Sequence, residues 1–282
     1  MRHIKRTGTG RLEVFAVEGL PEFATGMRVG EQIAARAELR DGDVVVVSQK
    51  VVSKAEGRVR ALSSVTPGAE ARRLAAELGK DPALVELILA ESREVLRAER
   101  GVLIVETRHG LVCANAGIDS SNLPAAGTVS LLPEDPDASA RQIRAEIRTT
   151  NSDPAAGADP GSSVDVRTRV GADSSAQGPP PAVIVADSFG RAWRLGQVEV
   201  AIGCAGIAPL EDWRGRLDAE GRKLEATLIA VADQAAAAAD LVRDKTSRVP
   251  AAIVRGLQRH VTEEDGPGAQ AIRRLPNEDL FR

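Results

Sequence analysis

Short apolar runs along this chain alternate with longer stretches in which apolar residues recur at helical spacing. The valine run at residues 44–47 follows a turn signal at Asp41-Gly42, which is typical of a buried strand. Runs of the same kind predict further strands at residues 102–106, 111–114, 183–186 and 250–254. Helical patterns cover residues 82–100, 136 to about 147, and 228–242. Together they predict a mixed α/β protein of the α+β class.

The helix predicted at residues 82–100 carries signals at both ends. Asp81 is a favourable N-cap, and Pro82 suits the first helical position. Gly101 is a residue that commonly ends helices. We therefore expect one continuous helix between Asp81 and Gly101.

Two stretches lack the apolar residues that a core requires. Residues 149–181 consist mainly of Asn, Ser, Asp, Gly, Ala and Pro, so we expect a disordered insertion there. The chain after Gly256 is polar and interrupted by Pro and Gly, and we expect it to lie outside the core. The predicted organisation is one domain over residues 1–257 that contains the insertion, followed by a polar C-terminal tail over residues 258–282.

Composition narrows the classes of partner. Aromatic residues make up 2% of the 282 residues and Tyr is absent, so platforms for stacking nucleic-acid bases are scarce. The formal net charge of −3 also disfavours a nucleic-acid partner. The N-terminus lacks the apolar core of a signal peptide, and no run approaches the ~18 apolar residues of a membrane span. We expect a cytoplasmic protein without a nucleic-acid or membrane partner.

Familiar catalytic signatures are missing from the sequence. It contains no G-x-x-x-x-G-K-[ST] segment, and Gly8-Thr9-Gly10 is not placed between a strand and a helix. The histidines at positions 3, 109 and 260 are scattered singly, which argues against a zinc site or a Ser-His-Asp triad. Cys113 and Cys204 lie in apolar or small-residue runs without paired spacing, and this predicts buried, reduced thiols.

Two acidic turns are the strongest candidates for chemistry. Asp119 lies in residues 116–122 and Asp187 in residues 185–191, and each segment follows an apolar strand and carries hydroxyls and glycine. Carboxylates in that setting suit a hard divalent cation that bridges phosphate oxygens. An Asp-Ser pair after a strand is also typical of an N-cap or an Asx-turn. The residues alone leave both interpretations open.

A basic segment and a glycine turn are further candidates for a phosphate site. Residues 48–58 carry Lys50, Lys54, hydroxyls and an arginine directly after the valine strand. These lysines could neutralise a polyphosphate or form a solvated basic face. The turn at residues 19–23 could present backbone amides to phosphate or could simply connect two elements.

Taken in order, these segments resemble the coenzyme F420-0:L-glutamate ligase family. The resemblance spans about residues 13–257 and also extends to the ligase half of a bifunctional bacterial enzyme. Its motifs are residues 19–23, 41–43 with the valine run, 48–58, 116–122, 132–139 and 187–194. Because the sequence stops at Arg282, we do not expect the nitroreductase-like second domain of that enzyme.

The resemblance implies a family-specific ligase fold with mixed and antiparallel sheets and an intertwined homodimer. It implies a GTP-dependent reaction in which the terminal carboxylate of F420-0 is phosphorylated and the amine of L-glutamate then displaces phosphate. The products would be γ-linked glutamyl F420 species, GDP and phosphate. The implied cofactor is Mg²⁺ or Mn²⁺, with K⁺ as a further candidate.

The resemblance also implies roles for individual residues. Asp119 and Asp187 would be catalytic, and both would bind metal together with Ser188, where many relatives carry Thr. The nucleotide would contact Gly19, Leu20, Pro21, Glu22, Ser48, Lys54 and Asn122. Residues 218–227 resemble a nucleotide and metal loop, but Lys223 stands where an acidic or amide side chain is expected, which leaves a side-chain ligand there open.

Two other functions stay open on the residues alone. A metal-dependent small-molecule kinase or phosphohydrolase would use the same carboxylates and lysines but stop at phosphate. A non-catalytic deazaflavin- or nucleotide-binding module would need the lysines and the glycine turn, but it would leave the two acidic turns unexplained.

Overall fold

The computed structural model describes residues 10–121, 123, 125–152, 178–243 and 246–280. Its strands are β1 (Glu13–Ala16), β2 (Val44–Ser48), β3 (Val59–Ala61), β4 (Ser92–Glu99), β5 (Val102–Thr107), β6 (Val112–Ala114), β7 (Thr128–Ser130), β8 (Ala182–Arg191), β9 (Arg194–Ala205), β10 (Leu210–Asp212), β11 (Leu228–Ala230) and β12 (Ala251–Arg255). Its helices are α1 (Val29–Ala34), α2 (Gln49–Ala55), α3 (Ala69–Leu78), α4 (Pro82–Ala90), α5 (Pro136–Ser152) and α6 (Val231–Asp240). Single 3₁₀ turns cover Leu62–Ser64, Asn115–Gly117, Ala269–Ile272 and Pro276–Glu278. The predicted mixed α/β class is confirmed.

A five-stranded mixed sheet forms the centre of the structure, in the order β1-β12-β2-β8-β9. Strands β2 and β8 are parallel, and the other neighbours in this sheet are antiparallel. Their register pairs Ser48 of β2 with Ala186 of β8. The carboxyl end of β2 therefore lies beside the middle of β8, at the point where Asp187 follows.

The valine run of β2 is continuous because both faces of the sheet are covered. Val45 and Val47 pack in the same cluster as residues of α1, α2 and α5. Val44 and Val46 pack on the opposite face with the alanines of α6. Strands buried on both faces are typically apolar at every position, rather than at alternate ones. None of the helices described is long and apolar enough to cross a membrane.

The prediction of one helix over residues 82–100 is wrong in its second half. Asp81 caps α4 as expected, since its carboxylate accepts hydrogen bonds from the N–H groups of Ala83 and Leu84. Helix α4 nevertheless ends at Ala90, and β4 then pairs with β5. Arg100 and Gly101 connect these strands, both with positive φ, as a two-residue hairpin turn requires. Strand pairing therefore overrides the helix propensity of this segment.

The expectation that the chain after Gly256 lies outside the core is also wrong. Val261 is buried and forms a β-bridge with Ile207. The fully buried Arg144 of α5 donates to the carbonyl groups of Thr262 and Glu263. These hydrogen bonds and the bridge to Ile207 thus hold this polar segment against α5 and the residues that follow β9.

Other element boundaries differ from the predicted ones. Helix α5 continues to Ser152 instead of ending near Ile147. Residues 228–230 form the short strand β11, so the Ala-rich helix α6 begins later, at Val231. Residues 153–177 of the predicted insertion lie outside the described residues. The remaining boundary residues of that insertion lie at the end of α5 and before β8.

Candidate functional site

A cavity of about 1140 Å³ opens where β2 ends beside β8. Five parts of the chain line it: the turn after β1, helix α2, the turn after β6, the β8–β9 hairpin, and the segment that follows α6. Among the sequence-predicted site residues, the cavity is lined by Leu20, Pro21, Glu22, Ser48, Lys54, Asp119, Asp187 and Ser188. Gly19 precedes this lining in a left-handed turn, and Asn122 lies outside the described residues.

The local placement of Asp187 differs from the predicted one. Asp187 was expected in a turn after a strand, but β8 continues through it to Arg191. A register shift between Val185 and Ala186 interrupts the pairing of β8 with β9 just before this position. Asp187 therefore lies within the β8–β9 hairpin, directly after a break in its strand pairing.

The turn that leads to Asp119 has an unusual backbone. Asn115, Ala116 and Gly117 all have positive φ, which is uncommon for residues with a side chain. Asp119 then forms a two-bond bridge with Ser130, through the N–H and C=O groups of both residues. Such strained backbone is concentrated at functional sites in proteins. The bridge fixes the position of Asp119 at the cavity.

Lys50 neutralises Asp119. Its Nζ atom donates to Asp119 Oδ2 over 2.8 Å and to the Ser121 hydroxyl over 2.7 Å. Ser121 also donates its backbone N–H to Asp119 Oδ1 and its hydroxyl to Oδ2. Partial burial opposes ionisation of Asp119, but the hydrogen bonds from Lys50 and Ser121 outweigh it and lower the pKa. Asp119 is therefore an ionised carboxylate at neutral pH.

The lysines of α2 do not form a solvated basic face. The Lys50 side chain is 16% exposed and the Lys54 side chain 12% exposed, and both line the cavity. Lys54 donates to the carboxylate of Glu22, which is itself largely exposed. Glu22 thus contributes a side chain to the site, where sequence reasoning expected mainly its backbone.

Asp187 has a different electrostatic setting. Burial raises its pKa to about 7, and the charges of Glu199 and Asp119 add to this effect. The neighbouring Ser188 donates its hydroxyl to Glu199 Oε1 over 2.8 Å. Arg243 lies on the far side of Glu199, with Nη2 3.4 Å from Oε2. When two carboxylates such as Asp187 and Glu199 lie close together in a site with little water, their repulsion makes it unfavourable for both to be ionised.

Sequence reasoning missed Glu199 and Arg243. Glu199 stands between two valines in β9, and the acidic residue in that run is the only local signal of its role. Arg243 follows an alanine-rich helix and has no motif around it. Their proximity depends on how α6 packs against β9, which no local pattern reports.

The donor set suits a hard divalent cation. The cavity presents carboxylates from Asp119 and Asp187, the hydroxyl of Ser188 and the buried Oδ1 atom of Asn115, for which the described residues provide no hydrogen-bond donor. No group of three or more acidic, histidine or cysteine side chains that could hold a metal occurs among the described residues. Mg²⁺ is commonly bound by one or two carboxylates, with substrate phosphates and water as the other ligands. Asp119 and Asp187 therefore supply the number of carboxylates that such an ion takes from a protein.

The two cysteines are confirmed as buried, free thiols. Cys113 lines the cavity, but burial and the charge of Asp187 raise its pKa to about 12. A thiol of that pKa is protonated at neutral pH and is a poor nucleophile. Burial similarly raises the pKa of Cys204 to about 12.

The loop at residues 218–227 does not line the cavity within the part of the chain that the structure describes. Lys223 is exposed, and its neighbour Arg222 forms an ion pair with Asp218. A contribution of this loop to a metal site therefore stays a prediction.

Comparison with known proteins finds the same family of ligases over most of the chain. Residues 19–155 and 163–256 match the family described as F420-0:gamma-glutamyl ligase. A coenzyme F420:L-glutamate ligase of Methanopyrus kandleri is 40% identical over 278 residues, which cover 97% of this chain and 100% of the relative. Enzymes of the same name from Methanothermobacter thermautotrophicus and Haloarcula marismortui are 39% and 41% identical, with 96% of this chain covered in each case.

Proposed function

We propose that this chain, which belongs to the F420-0:gamma-glutamyl ligase family, joins L-glutamate to coenzyme F420-0 in a reaction that consumes GTP. The observation that carries the proposal is the convergence of Asp119, Asp187, Lys50 and Lys54 on one cavity from distant parts of the chain. Acidic groups beside shielded lysines suit a bound polyphosphate with its counter-ion. The identity of the two substrates rests on the relatives, which are named as ligases of coenzyme F420 and L-glutamate.

An acyl-phosphate intermediate accounts for the need for a nucleotide. A carboxylate is a poor electrophile, so an oxygen of the terminal carboxylate of F420-0 first attacks the γ-phosphorus of GTP, and GDP leaves. The amine of glutamate then attacks the acyl carbon, loses a proton and expels phosphate, which leaves glutamate joined through an amide. A second round in which the γ-carboxylate of that glutamate is phosphorylated gives the γ-linked glutamyl species. Phosphoryl transfer of this kind depends on positioning and charge neutralisation more than on a protein nucleophile.

Each part of the cavity has a role in this scheme. Lys54 and Lys50 contact phosphate oxygens, and the turn at residues 19–22 with Ser48 holds the nucleotide. Asp119, Asp187 and Ser188 would hold Mg²⁺ or Mn²⁺, with K⁺ as a further candidate ion. A divalent ion there would supply charge neutralisation of the transferred phosphoryl group. Without a nucleotide, Lys50 donates to Asp119. When a nucleotide binds, Lys50 exchanges this hydrogen bond for one to a phosphate oxygen.

We also propose that the protein acts as a homodimer. The tip of the β8–β9 hairpin exposes large apolar side chains, with Trp193 of the turn 82% and Leu195 of β9 96% exposed. Large apolar residues exposed side by side are typical of an interaction surface. Light scattering on the purified chain tests this, and a monomer at micromolar concentration would contradict it.

Product analysis tests the reaction. The protein is incubated with F420-0, L-glutamate, GTP and Mg²⁺ or Mn²⁺, and the products are identified by mass spectrometry. We expect a glutamyl adduct together with GDP and phosphate, and no adduct when glutamate or GTP is omitted.

The same experiment separates the rival functions. Phosphate release without an adduct would indicate a phosphohydrolase, and a phosphorylated small molecule without an adduct would indicate a kinase. Nucleotide or deazaflavin binding without any turnover would indicate a binding module. Any of these three results would contradict the ligase.

A further inference from the structure

One wall of the cavity carries a buried ion pair that the proposed nucleotide site does not use. Glu199 of β9 and Arg243, which follows α6, have side chains only 8% and 5% exposed, and both line the cavity. Arg243 Nη2 lies 3.4 Å from Glu199 Oε2. This distance allows an ion pair, but the two atoms do not meet the geometry of a hydrogen bond.

Several atoms of this pair are buried with unused hydrogen-bonding capacity. Arg243 Nη1 donates to the carbonyl of Pro250, and Ser188 donates to Glu199 Oε1. Arg243 Nε and Nη2 and Glu199 Oε2 find no hydrogen-bond partner among the described residues. A buried polar group left unsatisfied costs about 1–3 kcal/mol, and a charged one costs more. A ligand that supplied the missing partners would remove this cost.

The charge pattern of the pair indicates what kind of ligand this is. The free edge of a guanidinium, Nε with one Nη, matches the two oxygens of a carboxylate. Glu199 Oε2 beside it can accept from an ammonium group. Glu199 would repel a polyanion such as a nucleotide phosphate, whereas Lys50 and Lys54 on α2 present cations to it. A zwitterion, with one carboxylate and one ammonium on the same carbon, matches the pair group for group.

We propose that Arg243 and Glu199 form the amino-acid subsite of this cavity. Arg243 binds the α-carboxylate of the incoming amino acid and Glu199 binds its α-ammonium group, which places the amine beside Asp187 and Ser188. The inference rests on the proposed ligase function, because it assigns the position of the amine acceptor in that reaction. It makes Arg243 and Glu199 residues that determine specificity for a free α-amino acid.

The test compares glutamate and nucleotide binding in two variants. Arg243→Met keeps much of the side-chain volume but removes the donors, and Glu199→Gln replaces the acceptor Oε2 with an amide group. Each should raise the KM for glutamate about 10- to 100-fold, the range for losing a hydrogen bond to a charged group. The dissociation constant for GTP, measured by calorimetry, should change less than about threefold.

An altered acceptor identifies the contact. The α-amide of glutamate lacks the carboxylate that Arg243 would bind, so the wild-type protein should use it with a much higher KM than glutamate. In Arg243→Met this preference should shrink to about twofold or less, because the discriminating group is gone. If the variant kept the wild-type preference, the assignment of the α-carboxylate to Arg243 would be overturned.

Two controls separate this subsite from a structural role. Removing only Arg243 leaves Glu199 buried without a counter-ion, so the double variant Arg243→Met/Glu199→Gln keeps the test usable if the single variant does not fold. Arg255→Met breaks another partly buried ion pair, with Asp43, outside the cavity lining. It should lower thermal stability without a selective change in the KM for glutamate.

The outcomes also distinguish this inference from the ligase proposal. If the wild-type chain forms no glutamyl adduct, the proposed function fails. If the wild type is active and the variants keep its KM for glutamate, only the subsite fails. If the KM for glutamate, GTP affinity and melting temperature all worsen in parallel in folded variants, the pair is structural and the subsite is overturned.

Discussion

The two acidic walls of the cavity have the same Asp-Ser sequence but opposite electrostatics. On one wall, Lys50 and Ser121 surround Asp119 with donors and lower its pKa. On the other, Asp187 is enclosed and faces Glu199, and its pKa is raised to about 7. Hydrogen-bond donors therefore control the pKa of Asp119, whereas burial away from water controls the pKa of Asp187.

This contrast shows how one cavity can be suited to a ligand with both negative and positive groups. The Asp119 wall is satisfied by its own lysine and is stable without a ligand. The Asp187 wall gathers like charges and unsatisfied atoms, which a cation or an ammonium group would relieve. Preorganised sites commonly carry such local instability, which the rest of the fold supports. Four measurements test whether the two walls differ in this way.

The largest effect is expected from Asp187→Asn. If Asp187 neutralises charge in phosphoryl transfer, this variant should lose about 10²- to 10³-fold in kcat while it stays folded. Steady-state turnover and thermal unfolding are the measurements. Asp233→Asn is the matched control, since Asp233 is also a partly buried aspartate with a raised pKa but lies outside the cavity lining. Near-normal kcat in Asp187→Asn would remove Asp187 from the site.

Lys54→Ala should have the next largest effect. Its ammonium group is shielded, so its loss should weaken GTP binding about 10- to 100-fold through missing charge-assisted hydrogen bonds. The KM for glutamate should change far less. GTP calorimetry beside a glutamate saturation curve measures both, with Lys80→Ala as a control outside the cavity lining. An unchanged dissociation constant for GTP would leave Lys54 with a structural role only.

The pH dependence of unfolding should reveal the Asp187 wall in metal-free protein. The pKa of Asp187 is 3.8 in the unfolded chain and about 7 in the folded protein. Its contribution to stability is therefore fully present below pH 3.8 and is lost as pH rises through about 7. In the wild type, this effect should lower the free energy of unfolding by on the order of 2 kcal/mol between pH 4 and pH 7. The Asp187→Asn variant should lack this decrease. Chemical denaturation of both proteins across this range is the measurement. Parallel curves for the two proteins would show that Asp187 titrates normally.

Asp119→Asn should have the smallest effect and the opposite sign. A carboxylate with a lowered folded pKa stabilises the fold above pH 3.8, and this stability is lost as pH falls through the folded pKa. Because Asp119 is 43% exposed, solvent screening limits the loss at pH 7 to about 1 kcal/mol or less. The difference between the variant and the wild type should shrink towards pH 3. A variant more stable than the wild type at pH 7 would contradict the role of Lys50.

Strands β2, β5, β6, β8 and β12 and the N-cap of α4 could be predicted because their signals are local. The valine run of β2 and the Asp81-Pro82 cap each depend on residues within one turn or one strand. The prediction of a helix over residues 82–100 was wrong after Ala90, where the structure depends on a partner strand and not on local residues. Residues of β4 have good helix propensity, but β5 offers them a complete hydrogen-bond ladder. A partner elsewhere in the chain can override local propensity in this way.

The candidate site shows the same division. Asp119, Asp187 and the lysines could be chosen from their order and residue types, and the structure brings them to one cavity. Their partners could not be chosen in this way. Lys50 and Asp119 are 69 positions apart, and Glu199 reaches Ser188 only because the β8–β9 hairpin aligns them.

The amino-acid sequence was enough to identify the family, the β2 strand that is buried on both faces, and the residue types that suit phosphate and metal. These properties follow from local patterns and from the order of motifs. Only the tertiary structure decided that Asp119 is neutralised, that Asp187 is not, and that Arg243 joins Glu199 at the cavity wall. A pKa or an unsatisfied donor depends on the distance to charges and water, and folding sets that distance between residues far apart in the chain.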